Sequence, residues 1–387
     1  MLISTTGTSM IWPFQTIYVT KVLGLSMTPV TILLTISSSC VLVGSIVFSP
    51  LIDRLGRKWI MIGGLSAHAV SLILLSQANT YYQFALLMGL NGLVVPIYRI
   101  AADAMVADLV PTDQRTDAYA LIRLSHNLGI SIGPAIGGFL AAQSYFLIFM
   151  SGAIGLLIYC LLMVLQAVET LPGNPPKKNI GAGTNLIQQR FGGYLEIFHD
   201  KRFIRFLISF TLIQFCAVLI WQILPKYAYD NFGIPENLYG WLPTTNALMV
   251  VLFQVWITSR SRHYQPLPVS AVGALFYAIA VGGLALAGGF WGFWICMVIM
   301  TIGEMLLMPT SSTYVANLAP LDKRGRYMGM FNLTWSIAGI FTPLLGGVLT
   351  DQVSSHAPWW SGFIIGLIAV LLVAASHRRE QQMGFTV

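Results

Sequence analysis

The chain has 387 residues, 56% of them hydrophobic and 9% charged, with a mean hydropathy of +0.73. This is the composition of an integral membrane protein and leaves little room for a soluble domain. The formal charge of +7 does not point to nucleic acid, because the basic residues are scattered among apolar stretches without an aromatic-interleaved patch.

Residues 1–10, "MLISTTGTSM", have no positively charged segment, so a cleaved signal peptide is not expected. The chain begins inside its first helix, which implies a short cytoplasmic segment ahead of it. Apolar stretches then predict helices over 2–20, 29–51, 59–77, 82–107, 117–140, 145–168, 203–226, 238–257, 267–288, 290–316, 327–350 and 358–376. Each matches the roughly 20 apolar residues that a crossing needs, giving an all-α protein of twelve transmembrane helices. An even number of crossings puts both termini on one side. Lys and Arg collect in alternate loops: Arg54, Arg57 and Lys58; Arg115; Lys177 to Arg202; Arg260 and Arg262; Lys323 to Arg326; and Arg378 and Arg379 in the tail. Only Lys21 and Lys226 fall on the opposite side. The termini are therefore expected to be cytoplasmic, in the plasma membrane.

Residues 169–202, with "LPGNPPKKNIGAGTN", read as a Pro- and Gly-rich cytoplasmic linker between bundles at 1–168 and 203–387. An internal repeat supports that division. At an offset of 209, "ADLVPTDQR" matches "ANLAPLDKR", "GPAIGGFL" matches "TPLLGGVL", and Trp12, Tyr18 and Gly24 match Trp221, Tyr227 and Gly233. Six helices in each half make the repeats parallel, an arrangement in which a binding site lies between two related bundles.

Between helices 2 and 3, "SPLIDRLGRKWIM" resembles the signature loop of the major facilitator superfamily, matching at Leu51, Asp53, Arg54, Gly56, Arg57 and Lys58 and departing at Ser49. The resemblance implies the major facilitator fold and a cytoplasmic gate in which Asp53 faces a helix N-terminus of the other half. It also implies that Arg57 pairs with an acid ending helix 4, the place of Asp108. The alternative is that these charges only set topology. In helix 5, "NLGISIGPAIGGFL" places Gly129, Gly133 and Gly137 four residues apart, a smooth stripe for close helix approach. With Pro134 and Gly138, the run is similar to a motif of the drug:proton antiporter branch, which implies export. Ordinary helix packing accounts for it as well, and Gly89 stands where that branch carries an arginine in helix 4.

Buried ionisable groups need a compensating reason to be in a membrane. Arg99 and Asp103 are spaced i and i+4 on helix 4 and are able to pair. Arg123 and His126 lie on helix 5. Glu304 has no Lys or Arg on its own helix, and desolvation favours a neutral carboxyl, so it is the first candidate proton carrier, with Asp103 the second. A static bridge from Glu304 to Arg99 or Arg123 is the competing reading. His68 reads as a buried hydrogen-bonding residue. Helices 1 and 7 face the central cavity in this superfamily; Trp12, Gln15, Gln214, Trp221 and Gln222 would line it together with Arg99, Arg123 and His126, suiting an amphipathic or cationic organic molecule. Tyr18 and Tyr227 fit an interfacial aromatic belt equally well.

The four cysteines have no ligand spacing, no catalytic triad, His-Glu-x-x-His or phosphate-loop pattern occurs, and neither a metal nor a cofactor is expected. The expected partners are a small organic substrate, protons and the bilayer, with the protein monomeric. The reading is thus a proton-coupled exporter working by alternating access, not an enzyme. The alternatives are a metabolite or sugar facilitator and a non-transporting receptor or scaffold.

Overall fold

The computed structural model describes residues 1–111, 114–170, 197–320 and 323–382; within these, the side chains of residues 49, 50, 53–55, 115–117, 120 and 325 lie outside the described set. The first half carries α1 (Leu2–Ser9), α2 (Gln15–Leu23), α3 (Met27–Leu55), α4 (Arg57–Leu75), α5 (Tyr81–Leu109), α6 (Arg115–Gln143) and α7 (Tyr145–Gln166). The second carries α8 (Lys201–Gln222), α9 (Leu224–Phe232), α10 (Glu236–Tyr239), α11 (Trp241–Ser261), α12 (Pro266–Leu284), α13 (Phe290–Leu318), α14 (Arg324–Gln352) and α15 (Ala357–Gln382). Most of the expected linker, 171–196, lies outside the described residues.

The repeat extends to the helix boundaries themselves. The bounds of α2 and α9, α4 and α12, α5 and α13, and α6 and α14 coincide at an offset of 209. Gly24 and Gly233 close α2 and α9 in the same left-handed conformation, φ 62° and 63°, which a residue without Cβ adopts at little cost. Pro134 and Pro343 fall inside α6 and α14 at equivalent places.

Two predicted helices are corrected. The stretch 2–20 is α1 and α2 joined by a turn at 10–14, because Pro13 has no N–H to donate and its ring crowds the carbonyl one turn earlier. The stretch 203–226 likewise divides at Ile223, with Pro225 in the first turn of α9. Among the described residues, ten helical stretches are long and apolar enough to cross a membrane, rather than twelve. The other two expected crossings are the broken α1–α2 and α6, whose glycines, Arg123 and His126 dilute its apolar character.

Each half packs round its own aromatic centre. Tyr18 sits against Phe84, Tyr145 and Phe149, and its hydroxyl donates to Leu75 O at 3.2 Å. The equivalent Tyr227 sits against Phe293 and Trp359, with its hydroxyl 3.0 Å from His356 Nδ1. Both tyrosines are buried core residues, so neither belongs to an interfacial belt or to a cavity wall. Aromatic rings meet edge to face in both centres, and each hydroxyl finds a partner.

The C-terminal ends of α2, α4, α6, α9, α12 and α14 lie at one end, labelled outer after the orientation expected from the sequence; those of α3, α5, α7, α11 and α13 lie at the other, labelled inner. Between the halves, α3 packs on α14, α6 packs on α10 and α11, and α2 meets α9.

Candidate functional site

The two helix breaks bring repeat-related residues face to face. The Trp12 and Trp221 rings meet edge to face at 5.2 Å, and Thr16 Oγ1 donates to Gln222 O at 3.1 Å. Gln15 is half-buried beside them in sequence. Oε1 of Gln214 and of Gln222 is buried without a hydrogen-bond partner among the described residues. An unmet buried acceptor has a cost that a hydrogen-bond donor would remove.

Glu304 stands at the middle of α13, half-buried. Its Oε2 accepts from Asn246 Nδ2 of α11 at 2.8 Å, and the same amide donates to Thr301 Oγ1 at 3.0 Å. Arg123 of α6, from the other half, lies within electrostatic range of this carboxyl. No ion pair within 4 Å joins Glu304 to Arg99 or Arg123 among the described residues, so the static bridge is not formed in this state. Arg99 and Asp103 lie on one face of α5, as their spacing requires, but do not approach to ion-pair distance either. Both are exposed, as is Arg123, although all three sit well inside the helix ends. His126 is half-buried within electrostatic range of Arg99. His68 is buried with its ring stacked on Tyr98 at 5.8 Å.

At the inner end, Gly56 takes φ 99° between α3 and α4. Arg57 Nε lies 2.8 Å from Asp108 Oδ2, tying the start of α4 to the end of α5. The side chains of Asp53 and Arg54 lie outside the described residues. Lys58 donates to Val164 O at 3.1 Å. Sequence reasoning missed Glu169, whose carboxylate accepts from the backbone N–H of Arg57 at 2.8 Å and of Lys58 at 3.2 Å. It caps the N-terminus of α4, where the helix dipole favours an anion. With more than a hundred residues between them, no local pattern announces that pairing.

The glycine stripe of α6 faces α1. A Cβ at Gly129 would stand 2.8 Å from Thr5 Cβ, and one at Gly137 2.5 Å from Met10 O. Gly138 points elsewhere: its Cβ would stand 2.5 Å from Glu236 O, in the other half. A Cβ at Gly240 would likewise stand 2.5 Å from Pro134 O. The motif therefore packs α6 within its bundle on one face and against the second bundle on the other.

Among the described residues, polar contacts between the halves gather at the outer end, and sequence reasoning missed them. Lys21 Nζ pairs with Glu236 Oε1 at 2.6 Å and lies over the Tyr145 and Tyr229 rings. Tyr145 Oη donates to the same carboxylate at 2.5 Å. Asp351 of α14 accepts from the backbone N–H of Met27 and Thr28 at 3.0 and 2.7 Å, capping α3. Thr35 Oγ1 donates to Ile340 O at 3.0 Å. One signal was present in the sequence: Lys21 stands against the charge bias of the loops, and such a cation needs an acid. Lys226, the other exception, pairs with Asp230 one turn along its own helix.

The family model described as Major Facilitator Superfamily matches residues 1–235 and 206–383. Among its relatives is a Na(+), Li(+), K(+)/H(+) antiporter of Planococcus maritimus, 23% identical over 94% of this chain and 89% of that one. Another is the quinolone resistance protein NorA of Staphylococcus aureus, 24% identical over 97% of this chain and 96% of that one. The crystal structure of the nucleoside transporter NupG superimposes with a TM-score of 0.77 over 97% of this chain and 96% of that one, at 14% identity. The chain belongs to the Major Facilitator Superfamily and is a multi-pass membrane transporter.

Proposed function

We propose that the chain exports small organic, drug-like molecules in exchange for protons, as a monomer in the plasma membrane with both termini cytoplasmic. Twelve crossings, counting α1–α2 and α6, would form bundles at 1–168 and 203–387 that rock about the seam. The observation that carries this reading is Glu304: a carboxyl at mid-helix, held by a neutral amide, with the Arg123 cation in range but not bonded. A group so placed can gain and lose a proton as Arg123 and substrate approach or withdraw, which is what coupling requires. Arg99, Asp103 and Arg123, exposed well inside their helices, fit a cavity open to the cytoplasm, while the outer contacts fit a closed extracellular side. NorA, named for quinolone resistance, and the cation/proton antiporter fit export and proton exchange respectively.

The test is transport of a fluorescent cationic dye into inside-out vesicles, with and without an imposed pH gradient. Glu304→Gln is expected to reduce gradient-driven accumulation to the level of protein-free vesicles while leaving dye exchange measurable. Accumulation by the variant at the unaltered protein's rate would overturn the role of Glu304.

A further inference from the structure

A groove of about 140 Å³ runs between α8 and α15 near the inner end, away from the seam. Arg205 and Arg379 line one part of it, Ile208 and Leu372 another, and Ser209 and Ser376 its floor. The groove opens outward. Ile208 is 52% exposed and Leu372 39%, and Ile364, Ile368 and Leu371 continue the exposed apolar stripe along α15 toward the outer end. In a chain that crosses the bilayer, such a stripe faces lipid tails.

The charge here is unbalanced. Arg205 donates from Nε to Lys201 O at 2.9 Å, which fixes its stem and leaves both terminal NH2 groups without a partner among the described residues. Arg379 forms no ion pair within 4 Å among them. The acids close in sequence are turned away: Glu380 is buried and accepts from Tyr314 Oη at 2.5 Å. Asp200 caps α8 and accepts from Tyr327 Oη at 2.9 Å. The two serine hydroxyls donate within their own helices, to Arg205 O and Leu372 O, both at 2.9 Å. The groove therefore offers guanidinium donors at its polar end, no acid among the described residues that line it, and an apolar wall leading into the bilayer.

We propose that this groove is a binding site for an anionic phospholipid, its phosphate held by Arg205 and Arg379 and an acyl chain laid along Ile208 and Leu372. Guanidinium groups match phosphate oxygens in geometry as well as charge, and basic pockets between transmembrane helices bind anionic headgroups. A free phosphate would satisfy the arginines but leave the apolar wall unused; a lipid satisfies both.

The experiment places the full chain in nanodiscs of phosphatidylethanolamine and phosphatidylglycerol at about 3:1, doped with a photoactivatable phosphatidylglycerol, and maps the labelled peptides by mass spectrometry. Labelling is expected in α8 and α15, competed by unlabelled phosphatidylglycerol. Loss of one arginine should weaken the competition about fivefold and Arg205→Gln with Arg379→Gln roughly 25-fold, from about 1 kcal/mol per basic residue at the membrane surface. The pair Arg260→Gln and Arg262→Gln, on another inner loop, should change nothing. Should the double variant not fold, Arg379→Gln alone, at the exposed end of α15, carries the test. Undiminished labelling in the arginine variants, equal labelling by a phosphatidylcholine probe, or displacement by millimolar inorganic phosphate would overturn the proposal. The readout is binding, so failure of proton coupling at Glu304 leaves it unaffected.

Discussion

The two outer seams are equivalent by the repeat and differ in chemistry. Gly138 of α6 approaches Glu236 and Asn237 at the start of α10, and Gly347 of α14 approaches Thr28 and Thr31 at the start of α3. Residues 138 and 347, and 28 and 237, are 209 apart, and a Cβ at Gly138 or Gly347 would stand 3.0 Å from Asn237 Cα or 3.1 Å from Thr28 Cα, so the backbone approach is alike on both sides. At the α3–α14 seam, Asp351 caps a helix and its charge meets backbone N–H groups. The α6–α10 seam instead uses an ion pair, with Glu236 largely buried between Lys21 and Tyr145. Duplicated geometry therefore constrains the glycines, while the polar closure of each seam is free to diverge. A cap contributes about 1 kcal/mol; a buried carboxylate stripped of its cation costs more, because the charge stays behind.

Four substitutions probe that difference, each read as the population of an outer-open state from distances between spin labels on the outer loops at positions 79 and 288. The largest effect is expected from Gly138→Leu, since a Cβ there already meets backbone that has no rotamer to yield; overpacking of this kind costs about 3 kcal/mol. The same change at Gly347 should match it within about 1 kcal/mol, and a large disparity would break the geometric equivalence. Lys21→Met comes next, at about 2 kcal/mol, below the full cost of breaking a buried pair because Lys21 is partly exposed. That is a shift of roughly 30-fold toward the outer-open state. The smallest is Asp351→Asn, about 1 kcal/mol, as the amide oxygen keeps one of the two N–H bonds while the other and the charge–dipole attraction are lost. If Asp351→Asn outweighed Lys21→Met, the contrast drawn between the seams would be wrong.

Much of the molecule was legible in the sequence wherever the signal is local or repeated. The offset of 209 related the helices of one half to those of the other, and the place of Asp108 followed from its motif. Pairing of Trp12 with Trp221 across the seam also matches their shared register. Prolines 13 and 225 carried the helix breaks, but hydropathy alone ran straight through them, because a broken span is as apolar as a straight one. Contacts set by tertiary approach were not legible. Lys21 and Glu236 are 215 residues apart, and Glu169 reaches α4 only because α7 happens to end beside it. Asn246, which holds Glu304, lies on a different helix and looks in sequence like any amide in an apolar run.

The interruptions at 10–14 and at Ile223 have a mechanical consequence. Bending a continuous helix stretches its hydrogen-bond ladder, whereas bending at an existing gap does not. Beyond each gap lies a nine-residue rod, α2 or α9, about 13 Å long, with a glycine swivel at its far tip. The pair touch each other, so a tilt of either rod would leave the hydrogen-bond ladders of the long helices unstretched.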